Sequence, residues 1–319
     1  MKILHSFDEM TINQCTALTV GKFDGLHMGH EILVEKIVKK KKEDFLAVAV
    51  TFDRPPKSQI SGVEEKLLMT LDEKRAILKH QGVDILIELP FNRDFMRMSP
   101  EDFIKNLSEK LHMKYIVVGD DFNFGYKGRG NTKLLQELSA EYGYETEVIT
   151  KIKSNDRVIS STYIREEIAL GHIESANALL GYPYFIIGRI VHGNHIGTSK
   201  IGRPTINIIP PDNKVLPCNG VYVTEAVVLG RTFHGVTNVG LRPTVDEAEK
   251  KIGVETHIMD FNRDIYNDEA KIVFRAFIRP EKKFVTFEDL KKQIEKDVHT
   301  TYSFFNSQKP QMPTIYCVD

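Results

Sequence analysis

The sequence predicts an α/β domain with a doubly wound parallel sheet (Rossmann-like), residues 1–183, followed by a small six-stranded antiparallel β-barrel with a C-terminal helix, residues 184–319. Three observations predict it. The chain has 319 residues, more than one hydrophobic core usually serves. Its first half alternates short apolar runs with amphipathic charged segments, the pattern of parallel strands joined through helices. After Pro183 the texture changes, and strand-like runs follow one another without long helices between them.

In the first half the strand-like runs lie at 16–20, 45–52, 84–89, 115–119 and 146–150. Val, Ile and Leu dominate several of them with little alternation, which suits parallel strands covered on both faces. Helical periodicity occupies 31–42, 71–81, 99–111 and 132–142. Ser99-Pro100-Glu101-Asp102 is a strong helix start: a serine cap, proline in the first turn and acids beside the positive end of the dipole. Two further helices are expected at 161–170 and 173–180, with Gly171 and Gly181 placed to cap them. Beyond Pro183, strands are expected at 184–191, 205–209, 220–229, 231–239, 254–261 and 270–279, with turns such as Pro211-Asp212-Asn213 between them. The last helix, near 286–297, carries Phe287, Leu290, Ile294 and Val298 on one face.

Composition narrows the function classes. With 43 basic and 44 acidic residues the net charge is −1, which gives no global drive toward nucleic acid or membrane. No apolar run approaches the roughly 18–20 residues that span a bilayer. The first eight residues are too polar for a secretory signal. Three distant cysteines without C-x-x-C spacing argue against a disulfide framework or a zinc site and fit a reducing, cytoplasmic setting. No obligate protein partner is implied.

The chemistry concentrates in four segments. Gly21-Lys22-Phe23-Asp24-Gly25-Leu26-His27-Met28-Gly29-His30 follows an apolar strand and precedes a helical pattern. A helix N-terminus offers free N–H groups and partial positive charge, so it seats phosphate, and two imidazoles beside it can stabilise developing charge. Thr51-Phe52-Asp53-Arg54-Pro55-Pro56 closes the second predicted strand, and Gly119-Asp120-Asp121-Phe122-Asn123-Phe124-Gly125 closes the fourth. Ser160-Ser161-Thr162-Tyr163-Ile164-Arg165 brings hydroxyls and a guanidinium to a helix start, the makings of a polyphosphate clamp. Ligands of such sheets bind beyond the carboxyl ends of the strands, where these segments fall.

Taken in order, these residues resemble the bacterial bifunctional riboflavin kinase/FMN adenylyltransferase family, also called FAD synthetase. The second half continues the resemblance through His192-Gly193, Gly197, Gly202-Arg203-Pro204-Thr205-Ile206-Asn207, Gly220-Val221-Tyr222, Asn238-Val239-Gly240-Leu241-Arg242-Pro243-Thr244, Glu255-Thr256-His257, Arg279 and Lys283-Phe284. The resemblance implies AMP transfer from ATP to FMN in the first half and phosphorylation of riboflavin in the second, with Mg²⁺ as cofactor and ATP, riboflavin, FMN and FAD as substrates or products. It implies that His27, His30 and Arg165 are catalytic for the first reaction and Glu255 is the general base of the second. Gly21, Phe23, Asp24, Gly25, Ser161, Thr162, Gly193, Gly197 and Gly202 would bind ATP phosphates. Asp121, Phe122, Phe124 and Arg242 would contact flavin or nucleotide, and Thr205 and Asn207 would hold the metal.

Several positions depart from the family pattern. Arg54-Pro55-Pro56 replaces the usual P-H-P, Thr198 replaces an arginine, Ile206 replaces alanine in P-T-A-N, and Asn267 replaces a glycine. Ile206 is expected to add bulk beside a phosphate turn and slow the kinase. Two alternatives therefore stay open: an adenylyltransferase whose barrel is weak or only binds flavin, and a non-enzymatic flavin-responsive protein.

Overall fold

The computed structural model describes residues 1–9, 12–53, 66–191, 205–241, 252–261, 263, 265 and 268–307. By packing, the chain divides into two compact units between Ser161 and Thr162.

The first unit is built on six parallel strands, β1 (Lys2–Leu4), β2 (Thr16–Val20), β3 (Leu46–Phe52), β4 (Ile85–Leu89), β5 (Met113–Gly119) and β6 (Glu145–Ile149). Their spatial order is β1-β4-β3-β2-β5-β6. The order reverses at β2, which pairs with β3 on one side and β5 on the other. That is the topological switch point, and ligands of such sheets bind in the crevice beyond the strand ends there. β2 and β4 are buried along their full length, and Leu18, Val20, Val48, Val50, Ile87 and Ile116 form the centre of the core. The short β1 was not expected from its three residues.

Helices α1 (Met28–Lys39), α2 (Leu71–His80), α3 (Arg93–Arg97), α4 (Pro100–Lys110), α5 (Thr132–Glu137) and α6 (Ser139–Tyr142) connect the strands. α1 starts three residues earlier than its periodicity suggested, because His27 already stands at the N-cap. The Ser99 hydroxyl caps α4 by accepting from the Asp102 N–H at 3.0 Å, with Pro100 in the first turn, as expected. The single helix expected over 132–142 is two helices that meet at Leu138.

The second unit contains α7 (Ser161–Leu170, its first residue counted with the first unit), α8 (Ile173–Leu180) and a closed antiparallel barrel. Its strands are β7 (Phe185–Val191), β8 (Thr205–Ile209), β9 (Gly220–Val228), β10 (Arg231–Leu241), β11 (Ile252–Ile258) and β12 (Glu269–Arg279), in the order β7-β8-β11-β10-β9-β12, with β12 returning to β7. α9 (Phe287–Ser307) closes the unit and runs ten residues past its expected end. Its buried residues are Asp297, Val298 and Thr301, whereas Phe287 is exposed. The anchor is an ion pair: Asp297 is 4% exposed and meets the Arg279 guanidinium at 2.8 Å.

α7 and α8 belong with the barrel for specific reasons. Asn177 donates to the Phe274 carbonyl at 2.9 Å and accepts from the Tyr184 N–H at 2.7 Å. Gly171 lies so close to Cys218 that a Cβ would meet its sulfur at 2.8 Å. A fragment starting at Thr162 is therefore expected to unfold cooperatively at a higher temperature than one starting at Tyr184. Thermal denaturation of both fragments checks this; equal transitions would mean that α7 and α8 add nothing to the barrel.

Candidate functional site

At the end of β2, Gly21 donates to the Val50 carbonyl at 3.0 Å, and the chain then turns sharply. Phe23, Gly25 and Leu26 adopt φ of 47°, 87° and 38°. Glycine takes such values freely, but an L side chain does so at a cost, so the two apolar residues mark strain. Both are buried, and their burial holds the turn. Asp24 lies between them, its carboxylate accepting the Leu68 and Met69 N–H groups at 2.9 and 3.3 Å. Its carbonyl accepts the Ser161 hydroxyl at 2.8 Å. Asp24 and Ser161 thus brace the turn.

His27 caps α1, and the His30 N–H donates to the His27 carbonyl at 2.7 Å. The two imidazoles stack at 3.8 Å between centroids and 21° between planes, and the Phe23 ring meets His30 edge-on at 5.4 Å. A Cβ on Gly29 would lie 3.2 Å from the His27 ring, so the glycine leaves room for the stack. Burial lowers the pKa of His27 to about 4. The same cause, helped by His27 once it is protonated and by the Lys74 ammonium, holds His30 well below its ordinary value. Both rings are neutral at physiological pH. Their Nδ1 atoms are buried without a hydrogen-bond partner among the described residues. Buried polar atoms rarely stay unpaired, so the pair is chemically suited to a ligand that brings oxygens.

The other first-unit segments meet at the same end of the sheet. Thr51 donates to the Lys22 carbonyl at 3.2 Å, and the Asp53 carboxylate accepts the Phe91 N–H at 3.0 Å. A row of rings follows: Phe52 meets Phe91 at 5.3 Å and Phe95 at 5.5 Å, Phe95 meets Phe103 at 6.0 Å, and Phe103 meets Phe124 at 5.8 Å. Phe122 stacks on Phe124 at 5.2 Å. Phe124 is a core residue; Phe122 is half-buried and is the more available of the two. Asp121 is exposed and pairs with Lys151 at 2.7 Å. Thr162 is exposed and Arg165 half-buried on α7, which packs with the second unit. Sequence reasoning missed Phe52, Phe91 and Phe95 as members of one ring cluster, since their positions lie far apart in the chain.

In the barrel, strand alternation sorts the residues. Asn207 of β8 pairs with Glu255 of β11, which pairs with Asn238 of β10. Paired residues share a face, so these three side chains lie together. Thr205 joins them by donating to the Glu255 carboxylate at 2.8 Å. Asn238 was quoted only as part of a motif; the register places it beside Glu255. Ile206 points the other way. It is buried opposite Thr256 on the core face, so its bulk lies away from Thr205 and Asn207, contrary to expectation. Gly193, Gly197, Thr198, Gly202, Arg242, Asn267 and Arg54-Pro55-Pro56 lie outside the described residues.

Comparison with known proteins assigns both halves. Residues 9–163 match the family model of FAD synthetase, and residues 180–305 match that of riboflavin kinase. A bifunctional riboflavin kinase/FMN adenylyltransferase of Haemophilus influenzae is 40% identical over 298 residues, covering 92% of this chain and 96% of that protein. Proteins of the same name are 37% identical in Listeria monocytogenes, with 93% and 95% covered, and 35% identical in Escherichia coli, with 96% and 98% covered. A crystal structure named as a macrolide-efflux protein from Streptococcus pneumoniae has the same fold, with TM-score 0.85 and 27% identity over 94% of this chain and 98% of that one. No helix among the described residues is long and apolar enough to cross a membrane.

Two outcomes follow from this geometry. Between pH 6.5 and about 4 an unfolded His27 binds a proton that the folded one refuses, so stability should fall as pH is lowered through that window, by about 3 kcal/mol at most. Denaturant titrations of the parent and of His27→Gln measure the difference; equal pH slopes would contradict a neutral His27. Ile206→Ala should open a cavity and cost about 2–5 kcal/mol of barrel stability, with no gain in any rate. Melting of the variant checks this.

Proposed function

The chain belongs to the bifunctional riboflavin kinase/FMN adenylyltransferase family, and from that premise we propose how its residues divide the two reactions. The chain phosphorylates riboflavin with ATP to give FMN, and transfers AMP from ATP to FMN to give FAD and pyrophosphate. The observation that carries the adenylyltransferase assignment is the stacked, uncharged histidine pair at the switch point of the sheet.

In adenylyl transfer, a phosphate oxygen of FMN attacks the α-phosphorus of ATP. The bond to the bridging oxygen breaks, and pyrophosphate leaves with the electron pair. No covalent enzyme intermediate is needed, so catalysis rests on positioning and charge stabilisation. Neutral imidazoles suit this step. Each carries one N–H donor for a phosphate oxygen and does not compete as a charge for the counterions of ATP. Gly21, Phe23, Asp24 and Gly25 shape the turn. Ser161, Thr162 and Arg165 keep the role implied by the resemblance, holding the leaving phosphates. Phe122 supplies the flavin-contacting ring, with Phe124 behind it and Asp121 on the nucleotide side.

In the kinase reaction, Glu255 accepts the proton of the riboflavin 5′-hydroxyl as that oxygen attacks the γ-phosphorus and ADP leaves. Thr205 and Asn207 are hard oxygen donors beside a carboxylate, a set that fits Mg²⁺. Such an ion, bound with ATP, would spread the charge of its phosphates. Gly193, Gly197, Gly202 and Arg242 keep their implied places in phosphate and flavin binding. Small-molecule substrates, free Cys15 and Cys218, and the lack of any spanning helix among the described residues support a cytoplasmic setting.

The two assignments separate in one experiment on the full chain. His30→Ala should lower FAD formation from supplied FMN by roughly a hundredfold or more and leave riboflavin phosphorylation intact. Glu255→Gln should do the reverse, lowering FMN formation by roughly 10²–10⁴-fold. Flavin separation after incubation with Mg-ATP reads both. A His30→Ala protein that makes FAD at the parent rate removes the histidine pair from the reaction.

A further inference from the structure

Lys74 stands in the first turn of α2, where a cation opposes the helix dipole. It is nevertheless buried, at 6% exposure. The capping box Thr70–Glu73 fixes the helix start just ahead of it. Its ammonium donates to the Lys22 carbonyl at 2.8 Å and to the Thr51 hydroxyl at 3.2 Å. Thr51 in turn donates to the same Lys22 carbonyl. Three groups from the histidine turn, the end of β3 and the start of α2 thus close one knot at the base of the histidine turn.

A lysine is an expensive way to tie two neutral oxygens. A buried ammonium loses its hydration, and no carboxylate lies within ion-pair distance of it among the described residues. The nearest opposing charges act from farther off: Asp24 in the turn and Glu88 on β4, the latter already engaged by Arg75 at 2.5 Å. On the other side His30 of α1 feels the ammonium, which adds to the larger effect of burial in lowering its pKa. The charge is thus only partly compensated and sits on the same turn as the histidine pair.

We propose that Lys74 is a positioning residue for adenylyl transfer: its buried ammonium clamps the Lys22 turn to Thr51 and supplies a fixed positive charge beside the histidine turn that the triphosphate of ATP neutralises. The inference rests on the adenylyltransferase reading of the histidine turn. It predicts a pH signature. Burial lowers the Lys74 pKa to about 8, against the opposing pull of Asp24 and Glu88. The charge is present below that pH and lost above it, so kcat/KM for ATP should fall as pH rises through about 8. With ATP bound, the phosphates hold the proton on, and the fall in kcat should move to higher pH.

The test uses the full chain, with riboflavin phosphorylation measured in every preparation. Lys74→Met keeps the length and apolar stem without the charge. It is expected to lower FMN adenylylation by roughly tenfold to a hundredfold, lose the fall near pH 8, and melt no earlier than the parent, since a desolvated charge has been removed. Lys74→Arg keeps a charge that does not titrate, and should retain part of the rate while losing the same fall. Parental adenylylation in Lys74→Met overturns the proposal. So does a fall near pH 8 that persists in both variants, or a loss of rate that only follows a lowered melting temperature. If His30→Ala is also fully active, the underlying reading of the turn has failed, whatever Lys74 does.

Discussion

The turn between β2 and α1 carries a local cost on which the arrangement of the histidine pair depends. Two residues with side chains, Phe23 and Leu26, occupy the left-handed region, and each costs about 1–2 kcal/mol there. Both are almost fully buried, which contributes about 1.5–3 kcal/mol per side chain. Burial therefore outweighs strain, but narrowly, and the remaining ties matter. The Asp24 carboxylate on two backbone N–H groups, the Ser161 hydroxyl on the Asp24 carbonyl and the Lys74 ammonium on the Lys22 carbonyl all act on the same few residues. A turn held from three directions can hold two uncharged imidazoles in one stacked arrangement.

What the sequence made legible follows from the range of each interaction. The two histidines, their glycines and the strand before them are neighbours in the chain, so the candidate site could be picked out from residues 16–30 alone. The Ser99 cap and the two-class architecture were equally local, the first a four-residue pattern and the second a periodicity. Long-range roles were not legible. That the Asp24 carboxylate holds the Leu68 and Met69 N–H groups, and the Asp53 carboxylate that of Phe91, could not be read from the chain. α7 and α8 read as helices, but only tertiary packing assigns them to the barrel. Phe287 fits an apolar stripe by spacing and is exposed, because an Arg279–Asp297 ion pair farther along seats the helix instead. Lys74 carried one faint clue, a cation in a helix's first turn.

The barrel shows the complementary constraint, a polar interior that sets the register of the strand face bearing Glu255. Thr224, Thr237 and Thr256 are fully buried and pass hydrogen bonds across three strands at 2.7 and 2.8 Å. A buried hydroxyl left unpaired costs about 1–3 kcal/mol, so each threonine needs its neighbour. Slipping one strand by a residue would turn its threonine outward and break the chain of bonds. The same slip would turn Glu255 or Asn238 inward, where no partner awaits it. The ladder that serves the core therefore also keeps Glu255 beside Thr205 and Asn207. It further explains how the bulk of Ile206 is accommodated between Thr205 and Asn207. Alternation assigns it to the threonine side of the strand, where its side chain has to fill core volume.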